Sequence, residues 1–281
     1  MDQRLIISVA LTGGGTSKEA NSAVPITPEE IAADAVACCK AGAAVAHIHC
    51  RDKQGRATMD AGVFQEVVTM VKNALQEERL DMIINLTTSG GPATDEERLL
   101  HLKSLQPDMC SYDVGTFNWG NMFVFENSPK FLKMLGECVV QNNVKPEMEI
   151  FDGGMIGNAD YYIKKGYITG NPHYQFILGV SGGLDGTVEN LVFLKNKLPQ
   201  NATWSCSGIG KCHMPMLLAS IAMGANGVRV GLEDNIYYSK GELATNEMLV
   251  SRAVRIAKEC GRTVATAEDT REILGLRKKG I

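Results

Sequence analysis

Residues 27–52 read TPEEIAADAVACCKAGAAVAHIHCRD, and this stretch shows the unit from which the rest of the chain is built. Thr27, followed by Pro28 and then by Glu30, forms a capping-box pattern that predicts the start of a helix. The residues after it keep helical periodicity, and the apolar run Ala43–Ala46 then predicts a strand. The unit is therefore a capped helix that leads into a strand, and this strand ends in two histidines.

The same alternation runs from end to end, which predicts parallel strands joined by right-handed crossovers. Eight units of about 35 residues predict a single (β/α)8 TIM barrel, with a doubly wound open sheet as the alternative. Residues 1–281 are expected to form one catalytic domain because no low-complexity linker divides them, and Thr266–Leu276 is expected to be an extra C-terminal helix. The predicted strands are Leu5–Leu11, Val45–His49, Met82–Leu86, Met109–Tyr112, Glu147–Phe151, Gln175–Val180, Ala202–Cys206 and Gly227–Val230.

The composition excludes several classes of protein. A net charge of −4 and the absence of a long basic run argue against a nucleic-acid partner, and the basic end Arg277-Lys278-Lys279 is expected to be a solvated tail. The N-terminus lacks the pattern of a signal peptide, and no run of 18 apolar residues predicts a membrane span. The eight cysteines include no C-x-x-C pair, so we expect reduced, mostly buried thiols in a cytoplasmic protein.

In a (β/α)8 barrel the chemistry lies at the carboxyl ends of the strands. Glycine and polar residues crowd those positions in every unit. A purely structural barrel does not need them there, so the sequence predicts an enzyme. These strand ends are Thr12–Gly15, His47–His49, Thr87–Gly91, Ser111–Asn118, Glu147–Glu149, Ser181–Gly183, Ser207–Lys211 and Arg229–Asn235.

His47 and His49 share one face of their predicted strand because side chains alternate along it, which sets their Cβ atoms roughly 6.5–7 Å apart. They could bind one metal ion, or they could be polar residues on a solvated face. Glu233 or Asp234, after the eighth strand, could supply a third ligand, unless the two form a solvated turn. Two histidines and one carboxylate are typical of catalytic zinc, and Mn²⁺ or Fe²⁺ suit the same ligands.

Two other features suggest a binding site at this edge. Ser207–Lys211 opens a helix after the seventh strand, where many barrels bind phosphate, although it could be a simple turn. Arg229 is predicted to point into the barrel mouth, where a buried guanidinium needs a carboxylate such as Asp234. An aspartate held by arginine stays ionised, which suits a general base.

The other histidines are weaker candidates. His101 is expected on a helix surface and His173 in a loop, and His213 could line the site because it follows the Gly210-Lys211 loop.

Seven segments along nearly the whole chain resemble the β-keto acid cleavage enzymes. The resemblance implies a zinc-dependent (β/α)8 barrel that is commonly a homotetramer. It also implies condensation of a β-keto acid with acetyl-CoA, with release of acetoacetate and a new acyl-CoA. The segments are Pro25–Ile31, His47–Arg51, Thr87–Gly91, Gly115–Gly120, Lys145–Glu149, Gly208–Lys211 and Gly231–Asn235.

The same resemblance implies roles for individual residues. It makes His47, His49 and Glu233 the zinc ligands, and it makes Asp234 the base, paired with Arg229.

Further positions follow from the resemblance. Thr87 and Ser111 match hydroxyl positions that hold the carboxylate end of the substrate. Glu147 matches a further carboxylate near the metal, although Glu149 could be the aligned residue instead. The Gly208–Lys211 loop becomes a contact for coenzyme A phosphate through Gly210 and Lys211, with lysine where relatives often carry arginine.

The chain departs from the family pattern at two positions. The member that acts on an amino-substituted keto acid has a glutamate that binds the ammonium group, where this chain has Gly15. We therefore predict that this chain prefers a different β-keto acid, neutral or differently charged. Ser89 stands where many relatives have glycine.

Two other functions compete with this interpretation. A metal-dependent hydrolase of the amidohydrolase kind would place further histidines on the fifth and sixth strands, where this sequence has Glu149 and Val180. A non-catalytic binding barrel is the second alternative.

Overall fold

The computed structural model describes residues 3–277, and within them eight parallel strands close into a barrel. Each strand pairs with the next one along the chain, and the eighth also pairs with the first, so the sheet is closed. The predicted (β/α)8 barrel is therefore confirmed, and the open sheet is excluded. The barrel strands are β1 Arg4–Ala10, β2 Val45–Ile48, β3 Ile83–Leu86, β4 Met109–Asp113, β5 Lys145–Ile150, β6 His173–Leu178, β7 Thr203–Gly208 and β8 Gly227–Val230.

A helix follows each barrel strand, and a ninth helix follows the last unit. Apolar side chains on the inner faces of these helices pack against the outer face of the barrel and form the main core. The ninth helix confirms the extra C-terminal helix. The helices are α1 Pro28–Ala41, α2 Ala61–Glu77, α3 Glu97–Leu105, α4 Pro129–Gln141, α5 Gly153–Lys164, α6 Val188–Lys197, α7 His213–Ala222, α8 Asn246–Glu259 and α9 Ala267–Leu274.

Beyond an apolar layer of Ile6, Val45, Ile83 and Met109 at the amino end of the strands, the inside of the barrel is polar and hydrogen-bonded. Asn85 on β3 donates to Glu147 on β5 at 2.6 Å, and Arg229 on β8 donates to Glu149 on β5 at 3.0 Å. Neither pair lies on adjacent strands, so these bonds cross the interior. Because all four side chains are buried, each needs such a partner.

Three antiparallel hairpins lie in the loops at the carboxyl edge of the barrel, and the periodicity of the sequence did not predict them. They follow β2, β4 and β8. Each is made of strands of only two or three residues, too short to show an alternating pattern. Their strand pairs are Cys50–Arg51 with Ala57–Thr58, Phe117–Trp119 with Phe123–Phe125, and Tyr237–Ser239 with Glu242–Leu243.

Two expectations about histidines were wrong. His101 is buried, with its ring 4.2 Å from that of Phe64 and its Nε2 2.9 Å from the Thr87 carbonyl oxygen. It is buried in α3 together with Arg98, Leu99 and Leu102, so the wide buried side of this helix includes polar residues. His173 is the first residue of β6 rather than a loop residue, because that strand starts directly after Pro172.

Other expectations concern the cysteines, the membrane and the tail. All eight cysteines are free thiols, and five of them are buried. Across residues 3–277, no helix combines the length and the apolar character that crossing a bilayer requires. Of the predicted basic tail, Lys278 and Lys279 lie outside the described residues.

Candidate active site

The three candidate metal ligands meet at the carboxyl edge of the barrel. His47 is near the end of β2, His49 follows it, and Glu233 lies in the loop after β8. His47 Nε2 is 3.8 Å from Glu233 Oε2, and His49 Nε2 is 3.5 Å from Glu233 Oε1. β2 and β8 flank β1 on its two sides, so barrel closure brings these distant parts of the chain together.

These residues fit a divalent metal ion such as zinc. Ligands bound tetrahedrally at 2.0–2.1 Å lie about 3.3–3.4 Å apart, which is close to both distances. Glu233 Oε2 is buried without a hydrogen-bond partner within residues 3–277, as a ligand atom directed at a cation would be. Burial lowers the pKa of His47 to about 3, so its imidazole stays in the neutral form that binds metals.

Arg229 holds the acidic side of the site together. Its Nε and Nη2 donate to Asp234 Oδ2 and Oδ1 at 3.0 and 2.9 Å, a bidentate pair. Nη2 also donates to Glu233 Oε1 at 2.6 Å, and Nη1 donates to Glu149. Burial opposes ionisation of Glu233, but the Arg229 guanidinium holds the pKa of this carboxyl well below its usual value.

Asp234 is fixed in position by a second donor. Ser207, near the end of β7, donates its hydroxyl to Asp234 Oδ2 at 2.6 Å. Oδ2 therefore accepts two hydrogen bonds, whereas Oδ1 accepts only the one from Arg229 among the residues that the structure describes. A carboxylate oxygen has two lone pairs, so Oδ1 keeps one for a proton.

Glu149 links Arg229 to a second carboxyl group. Asp113 lies beside Glu149 in the register of β4 and β5, and the Ser89 hydroxyl donates to Asp113 at 3.2 Å. Burial raises the pKa of Glu149 well above its usual value, and the adjacent Asp113 charge raises it further. Two buried neighbouring carboxyls are costly to ionise together, which disfavours the state in which both are charged.

The two glutamates of β5 occupy different depths. Glu149 contacts Arg229, whereas Glu147 lies two residues deeper, bonded to Asn85 and 3.7 Å from His173 Nε2. Both glutamates still form a cluster with His47 in which the possible ligand atoms lie within 4.8 Å of one another. The Arg229 guanidinium therefore binds Glu149, which the sequence analysis gave as the alternative to Glu147 for the further site carboxylate.

Thr87 directly follows β3, and Ser111 lies in the middle of the neighbouring strand β4. Thr87 Oγ1 accepts a bond from the Ser89 amide at 3.0 Å, and Ser111 Oγ accepts one from the Thr88 amide at 2.9 Å. Both hydroxyls are buried and shape the loop after β3.

The glycine loops differ in how they meet the site. A Cβ on Gly14 would lie 3.8 Å from His49 Nδ1, whereas one on Gly15 would have no atom within 4 Å. Gly210 donates its amide to the Asp234 carbonyl at 2.9 Å, which ties the turn before α7 to the loop after β8. Lys211, the next residue, is exposed.

The sequence did not single out Asp113 or Ser207. Both belong to the polar segments predicted at the carboxyl ends of the strands, and this position was the only sign of a functional role in the sequence. Asp113 lies beside Glu149 on the neighbouring strand, and Ser207 donates to Asp234 in the loop after β8. The pattern of one strand carries no information on such partners.

Comparison with known proteins identifies the family. The model of the β-keto acid cleavage enzymes matches residues 4–276. The 3-keto-5-aminohexanoate cleavage enzyme of Fusobacterium nucleatum subsp. nucleatum is 40% identical over 279 residues, covering 99% of this chain and 100% of that protein. The 3-dehydrocarnitine:acetyl-CoA trimethylamine transferase of Rhizobium meliloti (strain 1021) is 32% identical, covering 99% of each chain.

A solved structure supports the fold. The apo structure of ObcA superposes with a TM-score of 0.81 at 22% identity, covering 90% of this chain and 66% of that one. At this identity the likeness concerns the architecture alone. The match over residues 4–276 and the identity to the curated relatives go further: the chain is an enzyme and belongs to the β-keto acid cleavage enzyme family.

Proposed function

We propose that this protein is a zinc-dependent enzyme that converts a β-keto acid and acetyl-CoA into acetoacetate and a new acyl-CoA. The observation that carries the proposal is the placement of His47, His49 and Glu233 beside the Arg229–Asp234 pair. Family membership supports the reaction class, and the acetyl-CoA in the name of the Rhizobium meliloti relative supports the co-substrate. The overall reaction balances: C1 and C2 of the keto acid join the acetyl group as acetoacetate, the bond between C2 and C3 breaks, and the remaining acyl group takes the coenzyme A.

When bound, a zinc ion held by His47, His49 and Glu233 would supply Lewis-acid stabilisation of negative charge on the keto oxygen of the substrate. Asp234 acts as the general base, and Oδ1 takes the C2 proton because it keeps a free lone pair. Arg229 and Ser207 hold this carboxylate in one orientation before and after the proton arrives. Glu149 in turn holds Arg229 from the opposite side.

The remaining residues bind the two substrates. Thr87 and Ser111 bind the carboxylate end of the keto acid through their hydroxyl groups. Glu147 is a further site carboxylate, close to His47. Gly210 and Lys211 contact coenzyme A. We also propose that residues 1–281 act as one catalytic domain, in a cytoplasmic homotetramer without nucleic-acid or membrane partners.

A labelling experiment tests the proposal. The zinc-loaded protein is given acetyl-CoA labelled with ¹³C in the acetyl group and a panel of cationic, neutral and anionic β-keto acids, and mass spectrometry follows the products. We expect labelled acetoacetate with one panel member, its loss after zinc removal by a chelator, and its return with zinc. In Asp234→Asn, the rate of acetoacetate formation should fall about 10²–10⁴-fold while zinc stays bound. Absence of labelled acetoacetate across the whole panel would contradict the proposal.

Position 15 tests the substrate preference. We expect the wild type to prefer a β-keto acid without an ammonium group, because Gly15 offers no carboxylate to a cation. The open space beside Gly15 can accept a longer side chain. Gly15→Glu should therefore raise kcat/KM for a cationic β-keto acid relative to a neutral one, whereas Gly15→Gln, of similar size, should not. A wild type that already prefers the cationic substrate would contradict this preference.

A further inference from the structure

One buried side chain joins the loop that carries Glu233 to the opposite side of the candidate metal site. Asn246 is the first residue of α8 and is only 1% exposed. Its Oδ1 accepts a hydrogen bond from the Leu232 amide at 2.8 Å, and its Nδ2 donates to the Leu11 carbonyl at 3.0 Å. Leu232 directly precedes Glu233, and Leu11 directly follows β1. The carboxamide of Asn246 therefore ties the loop after β8 to the loop after β1.

A carboxylate on α1 fixes the orientation of this carboxamide. Asn246 Nδ2 also donates to Asp34 Oδ2, at 2.6 Å, so both of its hydrogens and its oxygen are used. A flipped carboxamide would set its NH₂ group against the Leu232 amide and its oxygen against two acceptors, so only one orientation is stable. Burial raises the pKa of Asp34 to about 6, although the bond from Asn246 opposes this shift. The acceptor on α1 is therefore an anion in mildly alkaline solution.

The peptide group before Glu233 depends on this side chain for its position. Leu232 is completely buried, so its amide has no access to water when Asn246 is lost, and the peptide must move to find another partner. The other bonds around it are longer. Thr16 donates its hydroxyl to the Leu232 carbonyl at 3.3 Å, and the Glu233 amide donates to the Ala10 carbonyl at 3.3 Å. A shift of this backbone would carry the Glu233 carboxylate with it.

We propose that Asn246 is a positioning residue of the candidate metal site. By holding the Leu232 peptide, it sets where the Glu233 carboxylate lies relative to the two imidazoles. The inference rests on the proposed function, because it takes zinc as the metal. Asn246 acts through the backbone, since none of its three bonds goes to a ligand side chain. Loss of a residue that orients a metal ligand typically weakens metal binding about 10–100-fold.

Zinc affinity tests this role, measured on the full chain at pH 8 by competition with a chromophoric chelator. In Asn246→Ala we expect the Kd for zinc to rise about 10–100-fold. Asn21→Ala is the matched control, because Asn21 is almost equally buried and its side chain also makes three hydrogen bonds. These bonds hold the base of the hairpin after β8 instead of the Leu232 peptide, so zinc affinity should stay close to that of the wild type. The partners of Asn21 are the Ala23 amide and the Ile236 and Ala244 carbonyls.

An exchange of the two polar groups separates positioning from the mere loss of a side chain. Asn246→Asp combined with Asp34→Asn keeps the net charge and the acceptor for the Leu232 amide, and the new amide at position 34 can donate to the new carboxylate at position 246. This double variant should bind zinc more tightly than Asn246→Ala. Cobalt(II) suits the same ligand types, and its visible absorption spectrum reports their geometry. The spectrum should change in Asn246→Ala and return towards that of the wild type in the double variant.

Hydrogen exchange of the Leu232 amide, followed by mass spectrometry, measures the same contact without a metal. We expect this amide to exchange at least tenfold faster in Asn246→Ala than in Asn21→Ala. If Asn246→Ala does not fold, as judged by circular dichroism, Asp34→Ala releases the orientation of the carboxamide and should also weaken zinc binding.

The results separate this inference from the proposed function. Wild-type zinc affinity in folded Asn246→Ala, or equal losses in the two asparagine variants, would overturn the positioning role. A wild type that binds no zinc would contradict both proposals. If zinc binding depends on Asn246 as expected but no β-keto acid reacts, the proposed reaction fails and the positioning role stands.

Discussion

Gly13 lies where the loop after β1 meets the loop after β8. Its φ of +66° is a left-handed conformation that side chains disfavour, and a Cβ at this position would lie 2.7 Å from Glu233 Cγ. The glycine therefore allows the candidate metal-binding carboxylate to sit directly above the loop. A single missing side chain thus sets the geometry of another residue 220 positions further along the chain.

We predict that Gly13→Ala weakens zinc binding, because the added methyl group pushes the Glu233 carboxylate away from the two imidazoles. The strained backbone should also lower the free energy of unfolding by about 1–2 kcal/mol. Zinc content after dialysis, measured by atomic emission, checks the first effect. Gly15→Ala is the matched control, since Gly15 has open space and no left-handed φ, and it should keep its zinc. Full zinc retention in Gly13→Ala would refute the steric argument.

At the scale of elements, α1 shows how the chain marks the start of a helix. Thr27 Oγ1 accepts a bond from the Glu30 amide at 3.3 Å, and Glu30 Oε2 accepts one from the Thr27 amide at 3.2 Å. Pro28 occupies the first helical position. The capping box predicted from four residues is therefore present, because its bonds join groups only three residues apart.

We predict that Thr27→Ala destabilises the protein by about 0.5–2 kcal/mol, because the first turn of α1 loses its side-chain acceptor. Urea unfolding followed by circular dichroism measures this difference. Thr69→Ala, at an exposed position inside α2, is the control and should change stability little or raise it, since alanine is the better helix former. Equal effects of the two variants would show that the cap contributes nothing.

At the scale of the whole molecule, stability depends on histidines buried in the neutral state. Burial lowers the pKa of His101 to about 4, below the 6.5 expected in the unfolded chain. The unfolded state therefore binds a proton first as the pH falls. The stability that His101 contributes is present above pH 6.5 and is lost as the pH falls towards 4.

We predict that the stability difference between the wild type and His101→Gln shrinks by about 2 kcal/mol between pH 7 and pH 5. Glutamine can still donate to the Thr87 carbonyl but does not titrate. The other buried histidines are present in both proteins, so their contributions cancel. Urea unfolding at the two pH values measures the change. A difference that stays constant with pH would mean that His101 keeps an ordinary pKa in the folded protein.

The sequence by itself determined the local features of this protein and the class of its fold. Helix caps, strand periods and polar strand ends arise from contacts within a few residues, so the (β/α)8 barrel and the placement of His47 and His49 at its carboxyl edge were predictable. The exact ends of strands were less predictable. The strand β6 starts and ends two residues earlier than predicted, because it begins directly after Pro172 and includes the polar His173 before the apolar run.

Only the tertiary structure decided which residues meet. Closure of β8 onto β1 sets Glu233 beside His47, and the interior bonds select Glu149 over Glu147 as the partner of Arg229. The tertiary structure also buried His101, and it left Nε and Nη2 of Arg252 without a hydrogen-bond partner among the described residues. These outcomes depend on distances between strands far apart in the chain, and periodicity along one segment carries no information on them.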